Sequence, residues 1–207
     1  MNNLLVWLGI GFISGSIPWA VIITKLVSRR NIRHFGDSNP GAANAWKAGG
    51  WVAGISTFTF DLFKGIVPIF LATRMIPAPT TFSGEIVMAL VCLSPVLGHA
   101  WSPLLKLKGG KALATSLGVW TALTNGLVLP IACLCLGLFH LIQRNDAITV
   151  TGCLIICICI FVPLDVQSYI GAFGLLNLAV VLYKHRSEYM DKPIFREWVS
   201  KFIGMGA

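Results

Sequence analysis

The sequence predicts an all-α, polytopic integral membrane helical bundle of about seven transmembrane helices, and three observations point to it. Only 12% of the 207 residues are charged, against about 25% in an ordinary soluble domain. Apolar runs long enough to cross a hydrocarbon core of ~30 Å recur along the chain, and the mean hydropathy is +0.78. Lysine and arginine gather in a few segments between those runs, as they do in basic cytoplasmic loops. Sustained strand alternation is absent, which argues against a membrane β-barrel. The formal charge of +8 is read as orienting helices, not as binding nucleic acid.

The first span, 3–26, has no basic region ahead of its apolar run and no small-residue cleavage site, so it is expected to remain as a membrane helix rather than act as a signal peptide. Further spans are expected at 50–74, 85–98, 112–124, 126–142, 148–163 and 168–183. The third and fourth are short for full crossings, so part of either is expected to be re-entrant backbone buried in protein. Pro18, Pro68, Pro95, Pro130 and Pro163 lie in or at the ends of spans, where each can kink or stop a helix. Gly11/Gly15 and Gly50/Gly54 have the spacing of close helix packing. Cys92, Cys133, Cys135, Cys153, Cys157 and Cys159 all fall in apolar runs and are expected to be small buried hydrophobes, with no disulfide framework and no zinc site. Residues 1–207 read as one membrane-embedded domain without an internal repeat.

Basic residues fix the orientation. Lys25, Arg29, Arg30, Arg33 and Lys47 follow the first span, Lys106, Lys108 and Lys111 follow the third, and Lys184, Arg186, Lys192, Arg196 and Lys201 follow the last. The turns PAPTT, TN and PLDV have none. Seven spans put every basic segment on one side, the cytoplasm by the positive-inside rule, with the N-terminus outside. Five spans satisfy the same pattern; an even number does not.

Three polar segments share that face. HFGDSNPGAANAWKAGG (34–50) is rich in turn residues, and small residues let backbone amides approach a ligand. In GHAWSPLLKLKGGKALAT (98–115), Gly109 and Gly110 can form an anion nest, flanked by Lys108 and Lys111 and followed by the N-terminus of a helix. Amides, dipole and lysines converge where a phosphate would sit. The competing reading makes the lysines headgroup anchors. No Walker A pattern is present, so ATP is not inferred. The tail YKHRSEYMDKPIFREW (183–198) brings His185, and His99 opens the second segment. Either histidine lies where a general base can work. Within the second span, Asp61 and Lys64 are spaced to pair on one helix face, as a brace beneath the site or as a relay.

These segments together resemble the bacterial acyl-phosphate:glycerol-3-phosphate acyltransferase family. The family pattern G-H-x-F-P-x-x-L-x-F-K-G-G-K-G-V-A-T is similar to Gly98–Thr115, with Gly98, His99, Leu105, Lys108, Gly109, Gly110, Lys111, Ala114 and Thr115 in register. The pattern G-S-G-N-x-G-A-T-N-x-x-R is similar to GDSNPGAANAWK, where Gly36, Asn39, Gly41, Ala42 and Asn44 match and Lys47 replaces arginine. GSIP at 15–18 and the DxxKG of Asp61–Gly65 fit as well. There are departures. Asp37 stands at the pattern's serine, Ser38 and Ala112 at glycines, and Glu188 at the asparagine of the third motif, H-x-x-N-I. The chain is identified as a divergent member.

The resemblance implies transfer of an acyl group from acyl phosphate to the 1-hydroxyl of glycerol 3-phosphate, in the cell inner (plasma) membrane, with a soluble phosphate acyltransferase as supplier of the donor. It implies no metal and no bound cofactor. Lys108, the Gly109–Gly110 amides and Lys111 would hold phosphate; Asn39, Gly41, Asn44 and Lys47 would hold the acceptor. His185, His99 or Asp37 would take the proton, and Ser38 stands in for the displaced serine. The alternative, a transporter or channel for an anionic phosphate metabolite, would be marked by two repeated halves with paired broken helices. The odd-span reading sets one expectation: a reporter at the C-terminus reads cytoplasmic and one at the N-terminus external. Both ends on one side would overturn it.

Overall fold

The chain is described by a computed structural model over residues 2–164, 168–190, 195–196 and 198–199. Asp165 and Val166 of the PLDV turn, and Lys192 and Lys201 of the tail, lie outside these described residues. Eight α-helices are present among the described residues: α1 (Asn2–Ser16), α2 (Trp19–Ser28), α3 (Ala42–Met75), α4 (Phe82–Ala100), α5 (Leu113–Leu123), α6 (Val128–Ile142), α7 (Asp146–Phe161) and α8 (Ser168–Lys184).

Proline and caps explain most boundaries. Pro18 restricts Ile17 and lacks a donor, so the first crossing breaks into α1 and α2. Arg29, in the left-handed region at φ 57°, closes α2 by donating its N–H to Lys25. Thr81 caps α4 by accepting from the Gly84 N–H at 3.2 Å, and Asn145 caps α7 by accepting from Ile148 at 3.2 Å. Pro68 and Pro95 sit inside continuous helices, Pro130 lies in the first turn of α6, and Pro163 follows α7.

Three helical stretches, Asn3–Ser28, Ala42–Met75 and Phe82–Leu105, are long and apolar enough to cross a membrane; α5 to α8 are shorter apolar helices. Each expected span therefore has its helix. The boundary of the second differs. The sequence reading begins it at residue 50, but the helix starts at Ala42 and turns a corner at Gly50, with φ 74° and ψ −170°. Only glycine adopts that conformation readily. At eleven residues α5 is the shortest of the helices that stand alone for an expected span, about 17 Å long. The irregular backbone before it is inside the protein, since Gly109, Gly110 and Ala112 are buried. Burial in protein is the condition that the expected re-entrant backbone has to meet.

Small residues set the closest helix contacts. A Cβ on Gly11 or Gly15 would strike Ser94 or the Pro95 carbonyl, so α1 lies directly on α4. Gly65 and Gly118 likewise let α3 and α5 touch backbone to backbone. Gly50 and Gly54 do not pack a second helix: Gly50 faces open space at the corner, and Gly54 makes room for the Trp46 ring. Trp120, Phe173, Val91, Val96 and Val181 fill the core. Leu5, Ile13, Leu26, Phe63, Leu134, Leu138 and Leu175 point outward, as side chains in contact with lipid do. Cys133 and Cys159 are also exposed, so only four of the six cysteines are the buried hydrophobes expected.

The helix ends sort into two groups. The start of α3, the end of α4, the start of α5 and the end of α8 meet around one large cavity. The end of α3, the start of α8 and the end of α5 meet at the opposite end, around Arg74, Pro77, Asn125 and Tyr169.

Candidate active site

The large cavity has a volume of about 1260 Å³ and is polar at one end and apolar at the other. Leu117, Ala132, Leu136, Val150 and Leu154 of α5, α6 and α7 form the apolar part. Asp37, Ser38, Asn39, Gly41, Asn44, Lys47, His99, Lys111 and His185 all line it, drawn from segments up to 148 positions apart in sequence. Lys108, Gly109 and Gly110 do not line it.

Asn44, in the first turn of α3, organises the first polar segment. Its Nδ2 donates to Asp37 Oδ1 at 2.6 Å and to the Asn39 carbonyl at 2.9 Å, while the Asn39 N–H donates to the same Asp37 oxygen at 3.3 Å. Gly36 is needed for close approach, because a Cβ there would fall on Asn44 Oδ1; its φ is 55°. Arg33 ties this segment to the next, donating to the Ser38 carbonyl at 3.1 Å and to the Lys108 carbonyl at 2.5 Å.

The second segment differs from the expected anion nest. Neither Gly109 nor Gly110 has a positive φ, and the Gly110 N–H donates to the His99 carbonyl at 3.1 Å. Glycine is required for another reason. A Cβ on Gly109 would collide with the His99 and Ala100 carbonyls, and one on Gly110 with His99 Nε2. The loop is thus pressed onto the end of α4. It also separates the lysines. Lys106 and Lys108 are exposed, with Leu104 and Leu107 exposed beside them, as headgroup anchors would be. Lys111 turns into the cavity, where its Nζ lies 2.6 Å from Asp37 Oδ2 and 2.5 Å from Glu188 Oε1. Partial burial alone would lower the Lys111 pKa, but the two carboxylates more than offset it and hold the ammonium above its usual range. Burial raises Asp37, and the Lys111 and Asn44 hydrogen bonds outweigh that, holding its carboxyl below the usual range. Ala112, with φ 63°, opens α5, and Leu113 and Ala114 bring the first amides of that helix to the cavity wall.

His185 closes the third side. Its side chain is buried, and Nδ1 lies 2.9 Å from the Val181 carbonyl. The acceptor fixes the tautomer: Nδ1 carries the proton and Nε2 keeps its lone pair. Burial lowers the His185 pKa below its ordinary 6.5. His99 is held more tightly, with Nδ1 3.7 Å from Asp61 Oδ1 and Nε2 against Gly110. Asp61 pairs with Lys64 at 2.8 Å, and Lys64 Nζ donates to the Ile17 carbonyl at 3.0 Å. The pair is therefore a brace fastening the α1–α2 break to α3.

Sequence reasoning did not assign Arg33, Ser116, Arg144 or Glu188 to the site wall. Arg33 carried only a general basic signal, and Arg144 sits in a short turn that no motif marks. Ser116 accepts from the buried Asn177 Nδ2 at 2.7 Å, and Asn177 accepts from Trp120 Nε1 at 3.2 Å; buried polar groups in apolar helices are the available signal. Among the described residues no group of His, Cys, Asp and Glu side chains is gathered to hold a metal.

A cavity joining a basic, amide-lined mouth to an apolar interior between apolar helices has the chemistry to take a charged head and an apolar tail together. A family model described as Glycerol-3-phosphate acyltransferase matches residues 5–191. A glycerol-3-phosphate acyltransferase of Finegoldia magna is 34% identical over 189 residues, covering 90% of this chain and 92% of its own. One of Desulfovibrio desulfuricans is 33% identical over 187 residues, covering 88% and 78%. The fold matches the crystal structure of PlsY (YgiH), an integral membrane glycerol 3-phosphate acyltransferase, in its glycerol 3-phosphate form, with a TM-score of 0.79 and 24% identity over 99% of this chain and 94% of that one. The lysophosphatidic acid form of PlsY matches with a TM-score of 0.78. The chain belongs to the glycerol-3-phosphate acyltransferase family and is a membrane-bound acyltransferase.

The two loop glycines separate folding from chemistry. Gly109→Ala sets a methyl against fixed backbone carbonyls and should lower stability by about 1–3 kcal/mol, read as an earlier thermal unfolding transition. Gly110→Ala meets mainly the His99 side chain, with the Pro40 carbonyl at 3.0 Å, so it should cost less stability than Gly109→Ala while acyl transfer falls about tenfold through displacement of His99. Equal melting losses in both would refute this division.

Proposed function

We propose that the chain transfers a fatty acyl group from acyl phosphate to the 1-hydroxyl of glycerol 3-phosphate, giving 1-acyl-glycerol-3-phosphate, as a single membrane-embedded domain. The active site faces the cytoplasm of the inner (plasma) membrane, and a soluble phosphate acyltransferase supplies the donor. The observation that carries this reading is the one cavity with a cationic mouth and an apolar interior. Such a space takes a phosphate head and an acyl tail together.

In this reading the acceptor hydroxyl oxygen attacks the acyl carbonyl carbon. A new ester C–O bond forms, the carbonyl carbon–phosphate oxygen bond breaks, and inorganic phosphate leaves. Because phosphate is a good leaving group, no covalent enzyme intermediate is required. Lys111, Arg33, Lys47 and the first amides of α5 oppose the phosphate charge. Asn39 and Asn44 order the loop that receives the acceptor. His185 is the base that the geometry favours, since its Nε2 has no hydrogen-bond partner among the described residues and its lowered pKa favours the neutral form at pH 7. A positioned base of this kind contributes about 10²–10⁴-fold.

Purified protein should make lysophosphatidic acid with acyl phosphate as donor and little or none with acyl-coenzyme A. Equal rates with the two donors would defeat the direct acyl-phosphate mechanism.

The pH profile tests the base. A neutral histidine with a lowered pKa stays active until it gains a proton, so the acid limb of kcat/KM should fall below pH 6.5. His185→Asn should lower kcat about a hundredfold and remove that limb. An unchanged acid limb in the variant would transfer the role to another group.

A further inference from the structure

Lys111 reaches into the cavity mouth, yet its charge is already met twice. Asp37 and Glu188 come from opposite ends of the sequence and converge on the one ammonium, at 2.6 and 2.5 Å. The two carboxylates are not equivalent. Asp37 is fixed by Asn44 and the Asn39 N–H on its other oxygen, and so belongs to the loop. The carboxylate of Glu188 has no ion-pair or hydrogen-bond partner except Lys111 among the described residues. The Glu188 backbone is anchored without it: its N–H donates to the His185 carbonyl at 2.8 Å, and its carbonyl accepts from Asn145 Nδ2 at 3.1 Å. The adjacent Tyr189 hydroxyl bonds to Thr151 of α7. The segment is thus held in place by bonds that do not involve its carboxylate.

A carboxylate on a lysine at the wall of a cationic mouth occupies a position that an anionic ligand could take. We propose that Glu188 is a specificity-determining residue: its carboxylate is an internal anion on Lys111 that the phosphate group of a substrate must displace. Resting on the acyltransferase reading above, this makes Glu188 the residue that sets how strongly a phosphate head is held. Displacement favours a dianionic phosphate over a singly charged carboxylate ligand, because only the former brings more charge to Lys111 than Glu188 removes. The phosphate can belong to the acceptor or to the acyl donor, and the two share this chemistry.

The test is Glu188→Gln in the full chain, which keeps shape and removes charge. KM for the substrate whose phosphate meets Lys111 should fall about two- to fivefold, the range for a partly exposed ion pair. The kcat should not rise, and a merely structural role would change melting temperature instead of KM. Separate titrations of glycerol 3-phosphate and acyl phosphate identify which substrate is concerned. Equilibrium binding of inorganic phosphate to the variant should tighten by the same factor, and this arm requires no turnover. Tighter phosphate binding without any acyl transfer in the wild type would uphold the displacement and reject the donor assignment. Unchanged or weaker binding of all three ligands would overturn it. In the wild type, a structure with glycerol 3-phosphate or inorganic phosphate bound at Lys111 should show the Glu188 carboxylate moved off the ammonium. A carboxylate still on Lys111 with phosphate bound there would overturn the proposal without any variant.

Discussion

The carbonyls at the C-terminal end of α4 hold the site together. A helix end leaves such acceptors without intrahelical partners, and burying them unpaired is costly. Here the His99 carbonyl accepts the Gly110 N–H at 3.1 Å, and the Ala100 carbonyl accepts Lys184 Nζ at 2.8 Å. One bond brings down the loop that carries Lys111; the other draws in the end of α8, next to His185. Ser102 extends the joint by donating to the Ser16 carbonyl at 2.6 Å, which secures the end of α1. Three chain segments thus meet because the end of α4 requires donors, and Ser102 adds α1 by supplying a donor to a second helix end.

The joint also explains why a short α5 is acceptable in a membrane protein. Irregular backbone is tolerated at membrane depth only when protein surrounds it or it lines a cavity. Gly109 and Gly110 are buried against α4, and Ala112 to Ala114 lie on the cavity wall. Shortening α5 leaves room for a polar mouth without exposing amides to lipid. The same economy applies at Pro18, where the broken crossing is compensated by the Asp61–Lys64 brace.

Much of the fold was legible because apolar runs and basic loops are statements about solvent, and solvent acts on composition. The corner at Gly50 was not legible, since a turn-rich segment and a helix start can share the residues AANAWKAGG. The site was legible as a list of segments and not as an arrangement. Lys108 and Lys111 look alike in sequence, and only the loop's contact with α4 sends one outward and the other inward. The convergence of Asp37 and Glu188 on Lys111 joins residues 151 positions apart, which no local pattern encodes. Glycine was recognised as necessary at 109 and 110, but the reason is contact and not φ.

Left-handed backbone occurs at several non-glycine residues, two of them in the cavity wall. Ser38 has φ 62° and Ala112 φ 63°, and both stand where the pattern of the resembling family has glycine. A side chain in that region costs about 1–2 kcal/mol, so the conformation is imposed by the surroundings and not chosen by the residue. At Ser38 the carbonyl is held by Arg33 at 3.1 Å and the N–H by Phe35 at 3.1 Å. At Ala112 the carbonyl accepts the Ser116 N–H at 2.8 Å, the first bond of α5. Either residue could relax only by releasing a segment that forms the cavity wall. Strain retained at two such places is the mark of a site whose geometry is fixed by its framework. The framework thus fixes the backbone at Ser38 and Ala112, and the charges of Asp37 and Glu188 are set onto it through Lys111.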